Sequence, residues 1–301
     1  MCDILGTRLA NEGGSVTSVD DPARLPAVDA GFELHGGQRT RVFDLLRELW
    51  AYRSLLATLS RKDFFVRYRR ASFGLLWAVG QPLIQAVVLA VVFSHIVKFR
   101  VGGGHYAVFV LAGLTVWSFF LATLTAGSTS IVDGASLSSK IYFPRAVLPL
   151  AVVGSSLYGL VIGLLLLVLA ALVLGPGIAP HTLLVVPGAL LAAGVSAGFA
   201  LVLSALHVYF RDVRYLVIAA TSLLFYLTPV FYPLSVVPPT LRQLITVGPM
   251  TGAVQLLHKG AVGGDVALLV PALTGVGWIV ALTGAGLVVQ ARWNRLFADR
   301  L

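Results

Sequence analysis

The sequence predicts an all-α integral membrane protein with six transmembrane helices. Of its 301 residues, 57% are hydrophobic and only 12% are charged, whereas charged residues make up about a quarter of a soluble globular protein. Six long apolar stretches follow the N-terminal region. Since a hydrocarbon core of roughly 30 Å takes about 20 helical residues to cross, each stretch is long enough to span a bilayer. Their continuous apolarity favours helices over barrel strands.

The positions of the cations predict how these spans are oriented. The six predicted spans are 72–97, 106–131, 146–174, 182–206, 215–232 and 266–290. This assignment places 18 of the 22 Lys and Arg residues on the side of both termini, and the positive-inside rule assigns that side to the cytoplasm. We therefore expect a multi-pass protein of the cytoplasmic membrane. The net charge of +9 therefore reflects the membrane topology. We expect the cations to contact membrane lipids. We expect no nucleic-acid partner, because the cations are spread over the ends of the spans.

Two segments precede the first span. Residues 1–40 are rich in Gly, Ser, Pro and Asp and contain no apolar core, which predicts a disordered cytoplasmic tail rather than a signal peptide. Residues 41–62 are predicted to form an amphipathic helix that lies in the membrane interface. A soluble helix packed on a partner is the alternative. The apolar residues of this helix recur every three or four positions: Leu45, Leu49, Tyr52, Leu56 and Leu59.

Polar features at the ends of the spans suggest contacts with other molecules. The basic cluster 61–70 directly precedes the first span. Its charges are explained by a stop-transfer anchor. Asp63 and the interleaved aromatics would also suit a docking surface for a cytoplasmic partner. The second span carries a stripe of small and hydroxyl side chains. Such a stripe serves either close helix packing or a conduit wall that offers hydroxyls to a polar solute. The stripe consists of Thr115, Ser118, Ala122, Thr125 and Thr129.

The segment between the fifth and sixth spans is apolar but interrupted by Pro and Gly, at Pro238, Pro239, Gly248 and Pro249. We expect short outer helices that dip into the bilayer and return. Because irregular backbone at that depth is tolerated only against protein or a water-filled cavity, this region is predicted to border an exit.

The spans contain no chemistry that could drive transport. After Asp63 the sequence has four acidic residues, each at the edge of an apolar segment, which argues against ion-coupled transport. No G-x-x-x-x-G-K-[ST] loop is present, so ATP is not bound in the P-loop manner. A single cysteine and the absence of metal-ligand spacing predict no metal site and no catalytic residues. We therefore expect a permease, not an enzyme, that receives its work from another subunit.

Several motifs in order make the chain resemble the membrane subunit of ABC-2 type polysaccharide exporters. The resemblance covers residues from about 45 to 295. The motifs are RKD at 61–63 with RYR at 67–69, Gly74 to Pro82, GLTVWSFF at 113–120, KIYFPR at 140–145, YFRD at 209–212, and PVFYP at 229–233.

The resemblance implies an ABC-2, type V exporter-like permease fold over residues 63–295, followed by a short cytoplasmic tail at 296–301. It implies a homodimer docked on two copies of a cytoplasmic ABC ATPase, which binds ATP and Mg while this chain binds no cofactor. The substrate would be a lipid-linked polysaccharide of the O-antigen, teichoic acid or galactan class. The amphipathic helix and the loop 136–145 would couple to the ATPase, and the outer helices would form a gate.

Two groups of residues are then expected to carry the function. The coupling residues implied by the resemblance are Arg61, Asp63, Arg67, Ser136, Leu137, Lys140, Tyr142, Phe143, Pro144, Arg145, Arg211 and Asp212. The candidates for the channel wall and sugar contacts are Thr115, Trp117, Ser118, Phe119, Phe120, Thr125, Tyr226, Phe231 and Tyr232.

Two other functions remain open at this stage. An ABC-2 permease could instead export a drug or a small lipid, since apolar spans discriminate substrates poorly. A membrane glycosyltransferase or acyltransferase would need a positioned acid, base or metal-binding carboxylate, and Asp133 and Asp212 stand apart in the sequence with no second acid nearby.

Overall fold

The described part of the protein is entirely helical in its regular structure. The computed structural model describes residues 42–69, 74, 76–92, 105–138, 142–264 and 267–293. The predicted tails 1–40 and 296–301 lie outside these residues, as does Lys140. The α-helices are α1 Val42–Ala51, α2 Arg53–Arg69, α3 Leu76–Val92, α4 Tyr106–Asp133, α5 Ala135–Ser138, α6 Val147–Leu174, α7 Val185–Tyr209, α8 Val213–Leu227, α9 Pro239–Thr246, α10 Thr251–Val262 and α11 Leu269–Trp293. Two 3₁₀ helices lie at Pro180–Leu184 and Leu234–Val236.

Four helical segments of the described chain are long and apolar enough to cross a bilayer. They are Tyr106–Asp133, Val147–Leu174, Pro180–Tyr209 and Leu269–Arg292. The two other predicted spans correspond to shorter apolar helices of 17 residues for α3 and 15 residues for α8. The chain is thus an all-helical membrane protein with four candidate spans and additional shorter apolar helices. A total of six crossings stays a prediction.

Helix α8 ends five residues before the predicted end of the fifth span. Thr228 adopts an extended conformation, with φ −85° and ψ 133°. The cause is Pro229, whose ring disfavours the helical conformation at the preceding residue. The following residues therefore form an irregular segment between α8 and the outer helices.

Helix α4 is the most enclosed of the four candidate spans and organises the core. It packs against α6 and α7 on its long sides and against α3, α8 and α10 elsewhere. Helices α7 and α11 form the other large contact. Gly194 and Gly198 of α7 lie directly against Ile279 and Leu282 of α11. These glycines therefore serve close helix packing, as expected for small residues in membrane helices.

The predicted amphipathic region forms two helices, α1 and α2, with a break at Tyr52. Its apolar stripe packs on the protein's own spans. Leu45 is buried with Ala146, Leu201 and Leu287. The stripe residues of α2 contact the start of α6, so they are covered by protein. Trp50 remains 72% exposed on the other side, where its indole is free to meet the membrane interface.

Short helices connect α8 to α11, as the sequence predicts. Helix α9 is largely exposed, whereas α10 is buried between α4, α7 and α11. The sequence predicts this segment to be interrupted by Pro and Gly, and α9 indeed starts at Pro239 and α10 follows Gly248 and Pro249. That these helices re-enter the bilayer stays a prediction.

Candidate functional site

A cavity of about 720 Å³ opens between α3, α4, α6 and α8, with the end of α2 at its rim. We call it the membrane groove. None of the described residues that line it is acidic, and its single cation is Arg67. The groove therefore offers a neutral, mixed polar and aromatic wall. Its polar residues are Gln81, Gln85, Thr115, Ser118, Ser155, Ser156, Thr221 and Ser222.

Apart from that of Ser118, the serine and threonine hydroxyls of the membrane groove fall into two groups. Thr115, Thr221 and Ser222 donate hydrogen bonds to backbone carbonyls of their own helices, at 2.7–2.9 Å. The Oγ atoms of Ser155 and Ser156 on α6 are buried and have no hydrogen-bond partner in the described structure. Because an unpaired buried hydroxyl is costly, these two would gain most from a polar partner that reaches them.

Two amides add to the polar wall. Gln81 and Gln85 lie one turn apart on α3 and are both exposed to the membrane groove. Each amide supplies two donors and one acceptor. A pair at this spacing on an apolar helix presents four donors along one face, which suits a solute rich in hydroxyl groups.

Aromatic rings form a continuous cluster at one end of the membrane groove. The ring of Phe225 lies 5.4 Å from Trp117, 5.5 Å from Tyr226 and 5.6 Å from Phe231, measured between centroids. Phe231 in turn lies 5.2 Å from Tyr232. Trp117, Phe225 and Tyr226 also line the groove, so three rings of the cluster form part of its wall. Tyr226 is 68% exposed and is the most accessible of them.

The sequence-predicted channel residues are only partly brought together. Thr115, Trp117, Ser118, Phe119 and Tyr226 line the membrane groove, and Phe231 and Tyr232 join it through the aromatic cluster. Phe120 does not line it.

Phe120 is fully buried, with its ring 5.9 Å from that of Phe199, because it points to the α7 side of α4. Thr125 does not line the groove either, and its hydroxyl donates to the Leu121 carbonyl at 2.7 Å.

The predicted coupling residues of α2 lie on its exposed side and towards the groove. Asp63 accepts a hydrogen bond from Arg67 at 3.3 Å, one turn away on the same helix. The guanidinium of Arg61 lies over the ring of Phe65 at 5.8 Å. Phe64 is buried, with its ring 5.1 Å from Tyr158 of α6. The two aromatics among these charges thus differ in role. Phe65 faces outwards, whereas Phe64 packs α2 against α6.

The loop before α6 divides into an exposed and a buried part. Phe143 and Pro144 are buried, and Phe143 packs with Val147 and Leu148 against the stripe of α1 and α2. Tyr142 is 63% exposed, and its backbone carbonyl accepts a hydrogen bond from the Tyr52 hydroxyl at 3.3 Å. Partial burial, followed by the charges of Glu48 and Tyr52, raises the pKa of the Tyr142 phenol.

The other predicted coupling residues also lie near helix ends. Arg145 is partly buried, and desolvation lowers the pKa of its guanidinium. Ser136 and Leu137 lie on the four-residue helix α5, where Leu137 contacts the same apolar cluster as Phe143. Arg211 and Asp212 are exposed in the turn between α7 and α8. Asp212 starts α8 through its backbone carbonyl, which accepts bonds from the amides of the next turn.

Several groove residues were not anticipated from the sequence. They are Gln81 and Gln85 on α3, Ser155 and Ser156 on α6, and Thr221 and Ser222 on α8. The signal was available, since each is one of a pair of uncharged polar residues inside an apolar span. Within the described residues, no group of three His, Cys, Asp or Glu side chains is arranged to hold a metal ion.

Comparison with known proteins identifies relatives of this chain. The family model described as ABC-2 type transporter matches residues 54–261. The O-antigen export system permease protein RfbA of Myxococcus xanthus is 31% identical over 193 residues, which cover 64% of this chain and 74% of that protein. A protein of the same name from Klebsiella pneumoniae is 29% identical over 203 residues, covering 66% of this chain and 77% of the relative.

Proposed function

This chain belongs to the ABC-2 type transporter family, and we propose that it is the permease subunit of a transporter that exports a lipid-linked polysaccharide across the cytoplasmic membrane. The O-antigen export permeases among its relatives support this substrate class. The polymer would be of the O-antigen, teichoic acid or galactan class. ATP hydrolysis on a separate subunit would supply the work, because this sequence has no P-loop motif.

The observation that carries the proposal is the composition of the membrane groove. Its wall combines neutral amides and hydroxyls with the rings of Trp117 and Tyr226, and none of its described lining residues is acidic. Sugars present hydroxyls and apolar C–H faces, so they are matched by uncharged hydrogen-bonding groups and aromatic faces. A small apolar drug or lipid would gain nothing from the unpartnered Ser155 and Ser156 hydroxyls and would leave them unpaired.

The shape of the groove supports a homodimer. Helices α3 and α8 both contribute to its wall, and both carry exposed apolar residues, including Ile84 and Leu223. A second copy packed against these helices would complete the wall of the groove. The distribution of Lys and Arg supports a topology with both termini in the cytoplasm.

The packing of α1 and α2 supports a route for coupling. These helices rest on Phe143, Val147 and Leu148, at the start of α6, whose later residues line the groove. An ATPase that docks beside the exposed Tyr142, Arg211 and Asp212 would therefore push on a packed unit connected to the groove wall. Movement of α2 against α6 would then alter the groove width.

Reconstitution tests the proposal directly. The permease and its cognate ABC ATPase would be purified together, placed in vesicles and loaded with a lipid-linked polysaccharide. We expect translocation that requires both subunits and ATP. A permease that moves the glycan without the ATPase, or a complex that exports a small lipid but no glycan, would refute the proposal. The enzyme alternative predicts new covalent products, which mass analysis of the recovered glycan would reveal.

A further inference from the structure

A second cavity, of about 690 Å³, lies beneath the helices that connect α8 to α11. We call it the outer cavity, after the side that the charge distribution assigns to it. It is bounded by α9, α10 and the start of α11, and it is separate from the membrane groove, since the two share no lining residue. Its volume lies within the roughly 300–1,000 Å³ that is typical of small-molecule sites.

The cavity wall contains a buried amide without an internal partner. Gln255 of α10 is 3% exposed, lines the outer cavity and has no hydrogen-bond partner for its Nε2. Buried side-chain amides are normally satisfied, and each unpaired one opposes folding. By rotation of its amide, Gln255 can turn either a donor or an acceptor towards a bound molecule. A ligand in this cavity would remove the penalty.

His258, one turn further along α10, forms the adjoining wall. Its ring stacks on Phe109 of α4, with centroids 3.6 Å apart, and both residues line the cavity. The ring nitrogens lie near the backbone of Phe109 and Val230 but make no bond of normal hydrogen-bond geometry. The stacked pair is almost fully buried and therefore forms a closed part of the wall near Gln255.

The roof of the cavity is held in place by hydrogen bonds. Trp278 of α11 donates from Nε1 to the Val247 carbonyl at 2.8 Å, and Thr274 donates to the Thr246 carbonyl at 3.3 Å. These contacts fix the end of α9 over the start of α11. The cavity is thus formed before any ligand enters, which lowers the entropic cost of binding.

Among the described lining residues, the one charged side chain is already engaged in hydrogen bonds. This side chain is Arg242, whose guanidinium donates to the carbonyls of Ser235 at 3.1 Å and Val237 at 2.9 Å and so braces the preceding loop. None of the described lining residues is acidic. The other polar side chains of the described wall are two amides, Gln243 and Gln255, the His258 imidazole, and the hydroxyls of Ser235 and Thr246.

We propose that the outer cavity binds a neutral sugar unit, with the Gln255 amide as its main hydrogen-bonding group and the Phe109–His258 pair as the wall. This inference rests on the proposed function, because it assigns the cavity to a unit of the exported glycan. It goes further because it assigns one sugar unit to a fixed subsite in the outer cavity, separate from the membrane groove proposed for the glycan.

Photolabelling tests the subsite by location. The permease–ATPase complex in lipid nanodiscs would be illuminated with diazirine derivatives of neutral methyl glycosides of glucose, galactose, mannose and rhamnose. We expect labelled peptides from the 233–271 region with at least one of them, and suppression by the matching unlabelled glycoside. Labelling of this region by glycerol phosphate in preference to every glycoside would assign the cavity to a lipid headgroup and overturn the proposal.

Two matched variants separate a binding role from a structural one. Gln255→Leu should reduce labelling of the 233–271 region at least tenfold while leaving the melting temperature equal or higher, because the amide Nε2 has no hydrogen-bond partner to lose. Gln85→Leu, the same change in the membrane groove, should leave that labelling intact. Undiminished labelling in Gln255→Leu, or a lowered melting temperature with it, would contradict the proposal.

The proposed function and the subsite can fail separately. If the complex exports a glycan in an ATP-dependent manner but no glycoside labels the 233–271 region, the subsite is wrong and the transporter assignment stands. If the intact complex exports no glycan at all, the proposed function itself fails, whatever the labelling shows.

Discussion

Ser60 of α2 lies so close to Gly154 of α6 that a Cβ added at Gly154 would stand 2.3 Å from the Ser60 Oγ. The hydroxyl is held there by donating to the Leu56 carbonyl at 2.8 Å. The two helices therefore cross at a point where neither backbone has room for a larger side chain. This crossing joins the N-terminal helices to the wall of the membrane groove, so its integrity bears on both stability and coupling.

Gly154→Ala should lower the free energy of unfolding by about 1–3 kcal/mol, the usual cost of overpacking a tight contact. Thermal unfolding in detergent would measure it. The control is Gly159→Ala on the same helix, where an added Cβ meets nothing within 4 Å.

The double variant Gly154→Ala with Ser60→Gly tests the cause. Removing the Ser60 side chain restores the space, so the pair should be more stable than the sum of the two single changes predicts. Strict additivity would show that the crossing is not the source of the effect.

Two neighbouring aromatics should respond in opposite ways. Phe143→Ala removes a side chain that is 4% exposed and should cost about 3–5 kcal/mol of stability. Tyr142→Ala removes an exposed ring but keeps the backbone carbonyl that Tyr52 bonds, so the melting temperature should stay unchanged.

Copurification of the ATPase should fall with Tyr142→Ala, since the exposed ring can contact a partner. Full retention of the ATPase by a stable Tyr142→Ala protein would remove this residue from the docking surface.

Glu48 should make stability dependent on pH. Burial, followed by the charge of Asp44, raises the pKa of the Glu48 carboxyl. The folded state thus binds this proton more tightly than the unfolded state, and the corresponding stability is present below the unfolded pKa and lost as the pH rises through the folded pKa. Glu48→Gln should therefore raise the melting temperature at pH 7, and its advantage should vanish near pH 4.

Asp212→Asn makes the same change of charge at an exposed turn and serves as the control for Glu48. Its effect on the melting temperature should be small at both pH values. A Glu48→Gln protein that gains nothing at pH 7 would contradict the assigned role of burial.

The amides of α3 test the membrane groove. Replacing both Gln81 and Gln85 by Leu should slow ATP-dependent export by about tenfold, the effect of roughly 1.4 kcal/mol of lost interaction, while ATPase copurification stays the same. Thr125→Val, on the second predicted span but outside the groove, should leave export unchanged. Equal export by the Gln81 and Gln85 double variant would mean that the glycan does not contact this wall.

The helical class and most helix limits could be predicted because apolar periodicity and length are local properties of the sequence. Pro229 shortened α8 through a steric effect that is also local, yet the apolar run around it concealed the break. The stripe of α1 and α2 was recognised correctly as an apolar face, but its covering by Phe143 and Leu148 depends on tertiary packing, which periodicity does not report.

The candidate site was less predictable than the fold. Thr115 and Ser118 were found from their helical spacing, whereas Phe120, two residues further on, lies across the helix against Phe199. Gln81 and Gln85 can be recognised as groove residues only once α3 is placed beside α6. The side of a helix that faces a cavity is decided by its neighbours, and one sequence does not specify them.

The short length of α8 has a consequence for the surrounding lipid. Its 15 residues rise about 22 Å, less than the roughly 30 Å of a hydrocarbon core. The missing height is taken up by the irregular segment after Leu227, where the Tyr232 hydroxyl bonds the carbonyls of Tyr226 and Leu227 at 3.0 and 3.2 Å. The Tyr232 hydroxyl thereby satisfies two carbonyls that a further helical turn would otherwise bond. If α8 crosses the bilayer, as the sequence predicts, we expect the acyl chains beside it to meet a shorter apolar wall, and the hydrophobic mismatch would thin the bilayer there.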